Sequence, residues 1–250
     1  MDYGVSVGPV PEAVEKVPEE FDFIELSIGE KEIKPEDIDD EALKQRLEEK
    51  GFDLYIHLPF RQPVATEASE LNEALVDYFE RLLDYSSEMG AEKAVVHPNM
   101  REEESEEQAE ILEAQIRKIK KLGEERDVEI CFENVGQYDT LEMFDLAEII
   151  DEVEASMCFD TGHGFAEAGQ EITEVFLEEE GDKISHIHAQ DTRENEDLHL
   201  PVGCAQIDFK GFFSKLEDFD GSICLELFTD DPDYMLISKE KVEEAFAGDS

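Results

Sequence analysis

The residues in this chain best suited to chemistry are histidines and carboxylates that close short apolar runs. Five of the six histidines end such a run or sit just beyond one. The runs read YGVSV (3 to 7), FDFIEL (21 to 26), LYIH (54 to 57), AVVH (94 to 97), EICFE (129 to 133), MCFD (157 to 160), ISHIH (184 to 188) and SICLE (222 to 226). A polar side chain at the end of a buried strand is costly unless it is paired or coordinates something. Its repetition along the chain points to a shared task. Imidazole nitrogen mixed with carboxylate oxygen suits zinc, manganese, cobalt or iron better than calcium or magnesium alone.

Such ligands act together only if the fold carries them to one place. The runs recur at intervals of roughly 20 to 40 residues, the spacing of a repeated strand, loop, helix, loop unit. Residues 68 to 90 place Leu71, Leu75, Tyr78, Phe79, Leu82, Leu83 and Met89 on one helical face. Residues 107 to 123 do the same with Ile111, Leu112, Ile116, Ile119 and Leu122. Further helices are expected at 10 to 17, 41 to 50, 140 to 152, 172 to 180, 208 to 217 and 238 to 246. Gly51, Gly90, Gly123 and Gly181 stand where left-handed residues would end helices. Eight strands alternating with eight helices in 250 residues predict a single (β/α)8 TIM barrel domain over residues 1–250. The rival, an open doubly wound sheet, usually has a glycine-rich phosphate loop after its first strand, and Gly4-Val-Ser-Val-Gly8 lacks that spacing.

A closed barrel opens every strand C-terminus onto one face. The set expected to converge there is His57, His97, Glu133, Asp160, His163, His188, Asp197, His199 and Glu226. Asp160-Thr-Gly-His163 puts a carboxylate at a strand end and an imidazole one turn later. In His186-Ile-His188 both rings point to one side of a strand. His188, nearer the end, is expected at the rim, with His186 in a packing or supporting role. His57 and His97 lie close to Pro59 and Pro98, so each also reads as a hydrogen-bonded histidine at a strand end. Glu25 ends a run too, and Lys31 or Lys34 is its expected partner.

The charge is extreme: 68 Asp and Glu against 21 Lys and Arg give a formal net charge of −47. Self-repulsion on that scale opposes a compact state in dilute salt, whereas at molar salt the Debye length is about 3 Å and the repulsion is screened. A halophilic cytoplasmic protein is the expectation. A disordered acidic chain is excluded by a 40% hydrophobic content with clear periods. The acid runs at 102 to 104, 106 to 107 and 178 to 180 read as solvated helix faces. No apolar stretch approaches the roughly 20 residues that span a bilayer, and the N-terminus has no leader, so no membrane partner is expected. Cys131, Cys158, Cys204 and Cys224 show no CxxC spacing and are expected as free thiols.

The segments CFDTGHGFAEAG, HIHAQD, DLHLPVGCAQIDF and ICLEL, with the early FIELSIG and HLPF, resemble the xylose isomerase-like TIM barrel superfamily. That superfamily groups sugar and sugar-phosphate isomerases and epimerases with endonuclease IV-type abasic-site nucleases (AP endonuclease family 2). Resemblance to the first branch implies one divalent metal (zinc, manganese, cobalt or magnesium) on Glu133, Asp160, His188 and Glu226. Glu133 and Glu226 would be the catalytic pair, moving a proton through an enediolate of a small sugar or sugar phosphate. His163, His199 and Arg193 would bind substrate oxygens or phosphate. Resemblance to the second branch implies up to three zincs and a DNA substrate, with His57 and His97 joining Glu133 at one metal and His163, Asp197 and His199 holding another. Against the nuclease, the loop from Ser27 to Asp37 is acidic where the nuclease's recognition loop is basic and aromatic. Only scattered Arg61, Arg101 and Arg193 lie near the predicted face. The isomerase or epimerase is therefore the expected function, and the oligomeric state is left open.

Overall fold

The computed structural model describes residues 1–29, 34–100, 106–135, 141–216, 218–229 and 231–248. Its elements alternate from the start: β1 (Asp2–Val7), α1 (Pro11–Lys16), β2 (Phe23–Ser27), α2 (Asp40–Lys50), β3 (Asp53–His57), α3 (Ser69–Met89), β4 (Lys93–Val96) and α4 (Glu106–Glu124). They continue through β5 (Glu129–Glu133), α5 (Met143–Val153), β6 (Ser156–Asp160), α6 (Thr161–Glu180), β7 (Ile184–Ala189), α7 (Phe209–Phe213), β8 (Ser222–Leu225) and α8 (Pro232–Ala247). Each strand pairs in parallel with the next, and β1 pairs with β8 to close the barrel.

The two-residue period of the strands splits their side chains between two environments. Ile24 and Leu26, Leu54 and Ile56, Ala94 and Val96, and Ile130 and Phe132 join the helix faces in one continuous apolar layer. The alternate residues include Phe23, Tyr55 and Cys224, and Val95, Cys131 and Cys158, which form two small clusters apart from that layer, inside the barrel. Above and below these clusters the interior positions are polar. On α3, Phe79, Leu82 and Leu83 are buried, each contributing about 1.5–3 kcal/mol by removal from water. The first turn departs from the expected face. Leu71 is exposed, and Asn72 is buried instead, accepting from the Thr66 backbone N–H and donating to the Thr66 carbonyl, both at 2.8 Å.

Gly51 and Gly90 end α2 and α3 in left-handed conformation, with φ of 73° and 87°. Gly123 and Gly181 do not act this way. Gly123 lies inside α4, where a Cβ would come within 2.4 Å of Ile130, and Gly181 is right-handed. Helix α6 starts at Thr161, well before residue 172, because the Asp160 carboxylate accepts the His163 backbone N–H at 2.6 Å and caps it. Gly169, with φ of 73°, interrupts that helix, so the expected segment is only its second half. Helix α7 is shorter than expected, and α8 is longer because Pro232 opens it at the first turn. Cys131, Cys158 and Cys224 are buried free thiols, and Cys204 is exposed. Among the described residues, no helix is long and apolar enough to cross a membrane. The acid run at 102 to 104 lies outside the described residues.

Candidate metal centre

All nine expected donors meet at the C-terminal mouth of the barrel. Glu133, the last residue of β5 and wholly buried, is their centre. Its Oε2 lies 3.4 Å from His57 Nε2, 2.9 Å from His97 Nε2 and 3.5 Å from His188 Nδ1, and its Oε1 lies 3.1 Å from His163 Nδ1. Glu226 follows β8 and places Oε2 3.3 Å from His188 Nδ1 and 3.6 Å from His199 Nδ1. Asp197 bridges the outer imidazoles, 3.1 Å from His199 Nε2 and 3.6 Å from His163 Nε2. Of the five sets among the described residues whose ligand atoms lie within 4.8 Å of one another, three are at this mouth: Glu133, Asp160, His188 and Glu226; His57, Glu133 and His188; and His163, Asp197 and His199.

Backbone carbonyls set the imidazole tautomers. His57 Nδ1 meets the Leu58 carbonyl at 2.9 Å, His163 Nδ1 the Asn134 carbonyl at 3.0 Å, and His199 Nδ1 the Glu226 carbonyl at 3.0 Å. A carbonyl only accepts, so these Nδ1 atoms carry hydrogens and Nε2 is the available nitrogen. In each ring that Nε2 faces a carboxylate. A lone pair and a carboxylate at this range repel unless a proton or a cation lies between them. Without a metal, protons take that place. Burial pushes the His57 ring down, but Glu133 outweighs it and brings the value up to about 9. For His199, burial is likewise outweighed by Asp197, and the value is again about 9. Burial pushes the Asp160 carboxyl up to about 6, whereas Glu133, although buried, is held well below the carboxylate range by His97 and His188.

Several buried atoms here make no hydrogen bond: both Glu133 oxygens, Asp160 Oδ2, His97 Nε2 and His188 Nδ1. Leaving one buried group unsatisfied costs about 1–3 kcal/mol, and more when it is charged. A cluster of them aimed at one point is explained by a cation that they would share. The donor set and its burial therefore fit a divalent metal of the nitrogen- and oxygen-binding kind.

Above the donors a cavity of about 1180 Å3 opens to solvent. Glu133 and Glu226 line it, with Phe60, Arg61, Asn99 and Phe228 among its walls. Phe228 is 78% exposed and stacks on His199 with ring centroids 4.2 Å apart. Arg193, expected to bind substrate, does not line this cavity. Its side chain is exposed, and its guanidinium lies 3.9 Å from Glu196. Among the described residues, Arg61 is the arginine that lines the cavity, over the Phe60 ring at 5.3 Å. Arg101 lies outside the described residues, as does part of the loop from Ser27 to Asp37.

Glu25 corrects another expectation. It stands mid-strand in β2, wholly buried, with its Oε1 3.1 Å from His188 Nε2 and its Oε2 3.1 Å from His186 Nε2. Lys34 is exposed, and Lys31 lies outside the described residues. Gln190 was not anticipated either. Its amide donates to Asp197 Oδ1 at 2.9 Å and to Asp160 Oδ1 at 3.3 Å, while its carbonyl accepts the His199 backbone N–H at 3.0 Å. Gly162 lies against it, where a Cβ would come within 2.4 Å. Asp191 shapes the following loop by accepting the backbone N–H groups of Ala205, Gln206 and Ile207 at 2.6 to 3.1 Å. The only signal for this pair was the position of Gln190-Asp191 directly after the ISHIHA strand. His199 itself has φ of 46°, an uncommon conformation for a residue other than glycine.

A closed parallel eight-stranded barrel with strand-end carboxylates and histidines around a shared glutamate defines the class. The model of the xylose isomerase-like TIM barrel family matches residues 14–247, and the chain belongs to that family. Among curated proteins it is similar to the uncharacterized proteins MJ1311 and MJ1614 of Methanocaldococcus jannaschii. The first is 25% identical over 70% of this chain and 64% of its own length, the second 27% identical over 69% of each. Among solved structures, a D-tagatose 3-epimerase-like protein has a TM-score of 0.78 at 22% identity, covering 99% of this chain and 97% of its own. An L-ribulose 3-epimerase has a TM-score of 0.79 at 15% identity, covering 98% and 94%. A D-psicose 3-epimerase from Clostridium cellulolyticum H10 has a TM-score of 0.79 at 14% identity, covering 98% and 99%. At these identities the likeness is one of fold.

Proposed function

We propose that this protein is a divalent-metal-dependent isomerase or epimerase of a small sugar or sugar phosphate. The observation that carries the reading is that Glu133 and Glu226, from strands β5 and β8, both approach His188 Nδ1 (3.5 and 3.3 Å) on the floor of a cavity large enough for a sugar. Asp160 completes the set of donor atoms. Whole-chain likeness in fold to several sugar 3-epimerases supports it.

In this reading Glu133, Asp160, His188 and Glu226 hold the ion, which when bound supplies positive charge beside a carbonyl and its neighbouring hydroxyl and so acidifies the adjacent C–H. The chain does the rest. Despite burial, Glu226 is held below the usual carboxylate range by His188, as Glu133 is by His97 and His188, so both are ionised. The glutamate that takes the proton from carbon becomes a carboxylic acid and can return that proton to the neighbouring carbon; return to the opposite face needs the other glutamate to have taken up a proton from solvent before it donates, and leaves it ionised. His163 and His199 stand at the cavity to bind substrate oxygens, and Arg61 replaces Arg193 as the arginine there. A panel of ketoses, aldoses and their phosphates, assayed with manganese in molar salt, tests the reading. Glu226→Gln is expected to lower turnover by about 10²- to 10⁴-fold; full activity in that variant overturns the assignment.

A second reading, abasic-site phosphodiester cleavage on up to three zincs, draws support from the two outer donor sets around His57 and His163. Metal analysis separates the two. One exchangeable manganese or magnesium supports the isomerase, whereas three zincs with cleavage of an abasic duplex support the nuclease.

A further inference from the structure

Beneath the candidate metal centre runs a line of polar groups that no step above uses. Glu25 Oε2 accepts from His186 Nε2 at 3.1 Å and from His188 Nε2 at 3.3 Å, and its Oε1 is 3.1 Å from the latter. His186 Nδ1 meets Ser222 Oγ at 2.8 Å. The Tyr55 ring beside it is stacked on Phe23 at 4.0 Å and edge-on to His186 at 5.5 Å. Glu25, His186 and His188 are wholly buried.

The chemistry of the partners orders the hydrogens along this line. Glu25 sets its two oxygens 3.1 Å from two imidazole Nε2 atoms, those of His186 and His188. A carboxylate only accepts, so both Nε2 atoms carry hydrogens. His186 Nδ1 is then an acceptor, and the Ser222 hydroxyl donates to it. His188 is thereby the reverse of His57, His163 and His199. Its Nε2 is occupied from below, and Nδ1 faces Glu133 and Glu226. Carboxylates that hold the far nitrogen of a ligand imidazole fix its ring orientation and raise its basicity. The same cluster also has the atoms for an ion of its own, since Glu25, His188 and Cys224 lie within 4.8 Å of one another. Burial pushes the Cys224 thiol well above its ordinary value, which opposes the thiolate such a site needs.

We propose that Glu25 is a positioning residue: braced by His186 and Ser222, it holds His188 in the Nε2–H tautomer and so selects Nδ1 as the metal-binding nitrogen. The inference rests on the metal reading above. Zinc binding to the whole chain, measured by chelator competition and followed at the His188 ring nitrogens by long-range 1H–15N spectra, tests it. The expected wild-type result is tight binding with zinc on Nδ1 and a hydrogen on Nε2. Glu25→Gln, whose amide must turn an N–H toward one imidazole, is expected to weaken zinc at His188 by about 10- to 100-fold. Ser222→Ala, remote from the donors, is expected to shift it less in the same direction, and it decides the matter if Glu25→Gln does not fold. Unchanged affinity in both variants, or zinc on His188 Nε2, overturns the inference alone. A wild-type chain that binds neither zinc nor manganese overturns the metal reading, and this inference with it.

Discussion

At the N-terminal mouth of the barrel, Lys93 donates to the Ser185 carbonyl at 2.9 Å and pairs with Glu129 at 3.3 Å, while the Ser156 hydroxyl donates to Glu129 at 2.6 Å. At the C-terminal mouth, histidines and carboxylates stand equally close, yet both Glu133 oxygens, Asp160 Oδ2 and His188 Nδ1 have no hydrogen bond. The first set is closed on itself, with a cation already supplied by lysine. The second is a ring of acceptors and imidazoles that do not satisfy one another. Polarity at a barrel mouth is therefore no sign of chemistry in itself. What separates a plug from a site is whether the groups satisfy each other, because a buried network partly unsatisfied is held in place only by what binds it.

The largest effect that sharpens this contrast is expected at Glu133, which touches His57, His97, His163 and His188. Glu133→Ala should remove stoichiometric metal and lower kcat by at least the 10²- to 10⁴-fold typical of losing a general base or acid. Metal analysis beside turnover checks it, and a metal-replete, active variant would break the contrast.

Next is pH. His57 and His199, each raised to about 9 in the folded chain, contribute stability that is fully present below their unfolded value of about 6.5 and is lost as pH rises through 9. At about 1.4 kcal/mol per pKa unit the loss is several kcal/mol. Metal-free protein should thus melt progressively lower between pH 6.5 and 9. Protein carrying up to three zincs, as in the second reading, should not, since His57 and His199 would then be neutral ligands, whereas one ion on Glu133, Asp160, His188 and Glu226 leaves the trend in place. A melting temperature independent of pH in metal-free protein would contradict this.

A smaller effect belongs to the other mouth. Lys93→Met leaves Glu129 without its cation and should cost about 1–3 kcal/mol in denaturant unfolding with metal content unchanged. Loss of metal in that variant would show that the two ends are coupled. The smallest effect is expected at Phe228, exposed over His199. Phe228→Ala should change stability by no more than about 0.5 kcal/mol and raise KM a few-fold while leaving kcat near its starting value.

Much of this was legible in the chain before folding. Strand ends at His57, Glu133, Asp160 and His188 could be read because buried strands are apolar and a terminal polar residue breaks the pattern. Glu25 was misread for the same reason: one carboxylate in FIEL looks like a strand end, and nearby lysines look like partners. Its true partner, His186, is 161 residues away and meets it only when β2 and β7 face each other across the barrel. Arg193 looked available because it follows β7, but its loop turns it outward to Glu196.

Local pattern by itself determined the alternation of strand and helix, the barrel, and which nine polar side chains gather at its C-terminal mouth, since period and residue type are properties of neighbours in the chain. Only tertiary structure decided which oxygen meets which nitrogen, which imidazole nitrogen is left bare, and that the lower mouth is satisfied while the upper is not. Those outcomes depend on groups tens to hundreds of residues apart brought within about 3 Å, and on backbone carbonyls that no residue type encodes.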